Sequence, residues 1–190
     1  MGINFIMKID DIKKLQESLN VEPDGIIGNI TRNAFADRLI EIALKDVGIF
    51  ETSKNRGDGI SKFWNATDYK DGYKYREPYC AAAVSYWIRE MNVFDEETRP
   101  KTAGAFNFER WGEGIGVKVL KSPDHVKRGN LVIFNFSHIG IVTSDSDNQG
   151  RFATIEANTS TGEKGSQRDG GGVYRRTRKI DSVRSIIVLG

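Results

Sequence analysis

Cys80 is the one cysteine in a chain of 190 residues. It has no partner for an internal disulfide, so the question is whether its thiol is inert or reactive. It stands in Glu77-Pro78-Tyr79-Cys80-Ala81-Ala82-Ala83. Pro78 blocks helix continuation from upstream and favours a helix start just after it. A thiol in a first helical turn feels unpaired N–H groups and the positive end of the dipole, which favour thiolate over thiol. The chemistry this suggests is nucleophilic attack.

A cysteine nucleophile needs a base, and the base needs a group that orients it. The chain has two histidines. His125 lies in a polar turn after Pro123. His138 heads an apolar segment, Ile139-Gly140-Ile141-Val142, which gives it a rigid mount, and small Gly140 beside it reads as room for substrate. His138 is therefore the preferred base. For the orienting group, Thr154-Ile155-Glu156-Ala157-Asn158-Thr159 offers two side chains that period-two alternation puts on one face, Glu156 and Asn158. Either accepts an imidazole N–H and fixes the tautomer. The Cys80 backbone N–H is a natural oxyanion donor, with a hydroxyl from Tyr73, Tyr75 or Tyr79 as a second.

No cofactor is expected. Two unrelated histidines and one cysteine do not make a zinc spacing. Asp68 and Asp71 sit in a polar turn without an EF-hand loop pattern, and Gly170-Gly171-Gly172 precedes a strand rather than a helix, which argues against phosphate binding.

The elements that must position these residues read as helices first and strands last. Ile9, Ile12, Leu15 and Leu19 predict a helix over 9–19. Pro23-Asp24-Gly25 is a turn, and a second helix is expected from Asn29 or Thr31 toward Gly48. Short helices are expected over 58–64 and 103–111, with a polar aromatic stretch over 64–79. The central helix runs from Cys80 to about Met91, with Val84, Trp87, Ile88 and Met91 as a core-facing stripe. Strands are expected over 117–120, 130–136, 139–144, 151–156, 172–177 and 183–188, and a mobile loop over 158–172. This order predicts an α+β fold with an antiparallel sheet.

Hydrophobic residues make up 38% and charged residues 28% of the chain, which predicts a folded globular protein. A net charge of +2 is too small to argue for a nucleic-acid partner. No apolar run is long enough to span a bilayer, so no stable membrane insertion is expected. Met1 to Asp11 has no basic leader, apolar core or small-residue cleavage site, so no Sec signal peptide is expected there.

Three motifs, in order, resemble the CHAP family of cysteine- and histidine-dependent amidohydrolases/peptidases found among cell-wall hydrolases. Pro78-Tyr79-Cys80-Ala81-Ala82-Ala83-Val84-Ser85-Tyr86-Trp87 is similar to that family's Pro-Trp-Cys-Ala-Ala-Phe-Val-Ser-Trp helix. Arg128-Gly129-Asn130-Leu131-Val132-Ile133-Phe134 and then Ser137-His138-Ile139-Gly140-Ile141-Val142 resemble its Gly-Asp-Ile-Val-Phe-Phe strand and His-Val-Gly-Ile-Val. Ile155-Glu156-Ala157-Asn158 resembles its Ile-Glu-Gly-Asn. The departures are Tyr79 for Trp, Asn130 for Asp and Ala83 for Phe.

The resemblance covers residues 41–190. It implies a papain-like fold of the NlpC/P60-CHAP type, with Cys80 as nucleophile, His138 as base, Glu156 as orienting residue and Asn158 as a fourth polar member. It implies a peptidoglycan substrate, cut at the muramoyl–L-Ala amide or at a peptide bond. Without a signal peptide, a protein made in the cytoplasm reaches the wall through a holin, as phage endolysins do, or through secretion machinery. Residues 8–40 resemble part of a type-1 peptidoglycan-binding module through Leu15-Gln16, Asp24-Gly25-Ile26-Ile27-Gly28, Thr31 and Ala34. This makes 1–40 a partial binding-like segment, either truncated targeting module or structural cap. Other readings are an inactive wall-binding or virion structural module, and a cysteine acyl-transfer enzyme acting on another protein amide.

Overall fold

A computed structural model describes residues 9–162, 166 and 169–189. The leader expectation for the first residues falls mostly on 1–8, and the loop expectation partly on 163–165, 167 and 168. Those positions lie outside the described residues.

The chain is α+β, with helices preceding a six-stranded antiparallel sheet. Helix α1 spans Ile9–Ser18 and α2 spans Asn29–Leu44. The turn between them is held by Gln16, which is buried. Its Nε2 donates to Asp24 Oδ1 at 2.7 Å and to Thr31 Oγ1 at 3.1 Å, and its Oε1 accepts from the Gly25 backbone N–H at 2.8 Å. The polar residues of the 8–40 motif therefore make one hydrogen-bonded staple. Thr31 is a member of that staple and lies inside α2, whose cap position is taken by Gly28. Helix α2 runs unbroken through position 40, and its Phe35, Leu39, Ile42 and Ala43 join the same core as the central helix.

Two short helices follow, α3 at Ser61–Trp64 and α4 at Gly72–Tyr75, the latter inside the polar aromatic stretch over 64–79, where no helix is expected from sequence. Helix α5 is Cys80–Met91, with Tyr79 at its N-cap and left-handed Asn92 ending it. Its stripe of Val84, Trp87, Ile88 and Met91 is core, as its spacing predicts. Each of these side chains contributes about 1.5–3 kcal/mol by leaving water. Ala81, Ala82 and Ala83 are fully buried, and their small size lets the first turns of α5 lie close on the sheet. Helix α6 is Asn107–Gly114, displaced toward the C-terminus from the expected 103–111.

The strands are β1 (Val119–Lys121), β2 (Leu131–Phe134), β3 (His138–Val142), β4 (Arg151–Thr159), β5 (Gly172–Lys179) and β6 (Val183–Ile187). Their order in the sheet is β1-β6-β2-β3-β4-β5. Alternation divides the strands between two clusters. Ile133, Ile139, Ile141 and Ile155 join the core with α5, whereas Val132, Phe134, Val142 and Phe152 form a second cluster. The β2–β3 hairpin turns through Asn135, Phe136 and Ser137, with Phe134 opposite His138. His138 thus heads β3, at the end of the sheet where α5 begins. Among the described residues no helix is long and apolar enough to cross a membrane.

Candidate active site

Cys80, His138 and Glu156 come together from three elements. Cys80 is the first residue of α5 and 4% exposed, and it lines a cleft of about 720 Å³ with Trp64, Glu77, Pro78, Lys101 and Ser137. First-turn amides have no acceptor within a helix, so the Cys80 N–H is placed to serve an incoming oxygen. His138 is fully buried. Its ring stacks on Phe134 and on Phe136, each with centroids 5.9 Å away, which fixes the imidazole plane.

Glu156 reaches the imidazole diagonally across the β3–β4 ladder. Its Oε2 lies 3.0 Å from His138 Nε2. A carboxylate can only accept, so Nε2 carries the hydrogen of that bond. The reach depends on Gly140. A Cβ there would stand 2.6 Å from Glu156 Cγ. The space beside Gly140, expected to admit substrate, is filled by Glu156 instead, because the carboxylate needs it to bend toward His138.

Arg178 completes the arrangement, and sequence reasoning missed it. Its Nε donates to Glu156 Oε1 at 2.8 Å and its Nη2 to Oε2 at 2.5 Å. Thr154 Oγ1 donates to Oε1 at 2.6 Å. The guanidinium lies 5.2 Å from the Phe134 ring centre and 5.5 Å from that of Phe136. The one hint of Arg178 in the sequence is the run Arg175-Arg176-Thr177-Arg178-Lys179, where alternation turns alternate residues inward.

These contacts decide the charges. Burial alone would raise the Glu156 pKa, but the Arg178 hydrogen bonds and then His138 outweigh it and hold the carboxyl down at about 2. Burial opposes charge on His138. The Cys80 side chain first and Glu156 second overcome that and push the imidazole up to about 9. Nδ1 of His138 is buried and makes no hydrogen bond, which leaves it as the ring atom for the thiol proton. The arrangement can hold a proton on the imidazole beside a sulfur nucleophile, with a fixed anion behind it.

Asn158 does not reach the imidazole. Its φ is +57° and the strand register shifts between Ala157 and Thr159, so it leaves the alternation that would pair it with Glu156. Its Nδ2 donates to Asn55 Oδ1 at 2.7 Å and to Glu51 Oε1 at 3.2 Å. This polar cluster includes Tyr79. Burial and then the nearby Glu51 carboxylate push the Tyr79 phenol well above its usual pKa, so it stays protonated. Tyr79 is fully buried and stacked on Phe63, Tyr75 is exposed, and Tyr73 lies under Arg56. None of the three lines the cleft, so none is placed to donate to an oxyanion. His125 is exposed on its loop and takes no part in this site.

Among the described residues, no group of three or more His, Cys, Asp or Glu side chains is placed to hold a metal ion. Compared with family models, curated proteins and solved structures, the chain gives no match.

Proposed function

We propose that this chain is a cysteine amidohydrolase or peptidase of papain-like type that cuts an amide bond of peptidoglycan. The observation that carries the chemistry is the grouping of Cys80 at a helix start, His138 at a strand head and Glu156 behind it, with Cys80 opening on the cleft. The three ordered motifs around these residues support the cell wall as substrate class.

In this reading the Cys80 sulfur attacks the amide carbonyl carbon. A C–S bond forms, and the carbonyl π electrons move onto oxygen, where the Cys80 N–H receives them. His138, carrying the proton that left the thiol, gives it to the amide nitrogen as the C–N bond breaks. The amine leaves and a thioester remains. Water then attacks the thioester while His138 takes its proton, and the C–S bond breaks to yield a carboxylate and the restored thiol. Glu156 keeps its charge throughout and holds the ring in place. The bond is the muramoyl–L-Ala amide or a peptide bond of the stem or cross-bridge.

The test is clearing of permeabilised bacterial cells. The wild-type protein is expected to lower turbidity, and Cys80→Ala to leave it unchanged while keeping the same circular dichroism and Tm. Equal clearing by Cys80→Ala would overturn the mechanism. Sedimentation of wild-type protein with sacculi and no clearing would mark a wall-binding module instead.

A further inference from the structure

The site above has one oxyanion donor, the Cys80 backbone N–H, and the three tyrosines considered for the second are turned elsewhere. Ser137 offers a hydroxyl in their place. It lines the same cleft as Cys80 and immediately precedes His138. Its hydroxyl makes no hydrogen bond to a side chain or backbone group among the described residues, and the residue is half-buried.

Its backbone adds an independent argument. The hairpin loop has three residues, Asn135, Phe136 and Ser137, closed by the Ser137 N–H on the Phe134 carbonyl at 3.2 Å. In such loops the last residue is left-handed, and glycine is the residue that fits without strain. Ser137 occupies that position with φ +58°. Most other non-glycine residues with positive φ here are asparagines, which tolerate this region better. A serine held there against local preference is the kind of strain that accompanies function.

We infer that Ser137 is a catalytic residue, its hydroxyl donating to the oxygen that becomes negative when Cys80 attacks the carbonyl. The inference rests on Cys80 being the acylated nucleophile, but not on peptidoglycan being the substrate.

The experiment compares two reactions of the lone thiol. With p-nitrophenyl acetate the sulfur attacks the ester carbonyl, an oxyanion forms, the C–O bond breaks, and p-nitrophenolate leaves a thioester. With iodoacetamide the sulfur displaces iodide at a saturated carbon, and no oxyanion forms. The proteins are wild type, Ser137→Gly, Ser137→Ala and, for background, Cys80→Ala. Both Ser137 variants are expected to acylate about 100- to 1000-fold more slowly than wild type and to alkylate at the wild-type rate. Ser137→Gly should have an unchanged Tm or one raised by about 2–4 °C, since glycine relieves the strain.

Acylation of either variant at the wild-type rate would overturn the role of Ser137 alone. An equal slowing of acylation and alkylation would also overturn it, because the variant then acts through the thiol. Wild-type acylation no faster than that of Cys80→Ala would overturn the nucleophile assignment, and Ser137 with it.

Discussion

Arg178→Met removes the guanidinium that holds Glu156 and keeps an apolar stem over Phe134 and Phe136. Glu156 is left fully buried with Thr154 and His138 as its remaining hydrogen-bond partners. Removing one partner of a buried ion pair destabilises by about 3–5 kcal/mol, against a total of about 5–15 kcal/mol for a domain. For a chain of this size each kcal/mol lowers Tm by about 2–4 °C, so the fall is about 6–20 °C.

The pH dependence follows from the same contact. Glu156 is held at about 2, below its ordinary 4.5. A depressed carboxyl contributes stability that is complete above about pH 4.5 and is lost as pH falls toward 2. Without Arg178, burial dominates and raises the folded carboxyl above its ordinary 4.5, so the sign reverses: the group adds stability as pH falls through that raised value, while the acid limb of activity moves upward. Urea unfolding and sacculus digestion, each run from about pH 2 to 8, measure both effects.

The double variant Glu156→Met/Arg178→Met removes the carboxylate and the guanidinium together and leaves only the His138 Nε2–H without its acceptor. It should recover much of the stability lost by the single variant, and none of the activity. Stability of Arg178→Met within about 1 kcal/mol of wild type at pH 7, with an unmoved acid limb, would refute the reasoning.

Two further predictions concern the imidazole and its support. His125 is exposed and His138 buried, so NMR titration separates the chain's two histidines. His138 should titrate near 9, and Cys80→Ala should lower it, because Cys80 is the leading favourable influence on the ring. A group raised above its ordinary 6.5 stabilises fully below that pH and loses the contribution as pH rises through about 9, so unfolding free energy should fall across that window. Titration of wild-type His138 at or below 6.5 would contradict the pairing. Gly140→Ala places a methyl 2.6 Å from Glu156 Cγ and 3.0 Å from the Ile155 carbonyl. It should cut the digestion rate by about 100-fold through misplacement of the carboxylate and ring, and unchanged digestion would show that the notch at Gly140 has no such role.

The sequence carried the central helix and the six strands because each has its own local signal. Pro78 marks the start of α5, its stripe has one period, and the strand segments are separated by turn residues. Cys80 and His138 were legible for the same reason, since each stands at an element's end. The choice between Glu156 and Asn158 was not legible. Alternation treats them alike, and only the register shift after Ala157 and the left-handed backbone at Asn158 separate them.

Gly140 was read with the correct size and the wrong occupant, since what fills a gap depends on the neighbouring strand. Arg178 was hidden in a run of basic residues, where a charge by default faces water. It is buried because Glu156 and two aromatic faces await it there. Helix α6 starts later than expected because residues 103–105 line the cleft instead of winding into the helix.

The most direct test of the central claim is digestion of purified sacculi followed by mass spectrometry of the soluble fraction. Wild-type protein should release muropeptide fragments in which each cleaved amide appears as one new carboxylate and one new amine, all at a single bond type. Cys80→Ala, folded and at equal concentration, should release none. Release of the same fragments by Cys80→Ala, or intact sacculi after wild-type treatment, would contradict the account.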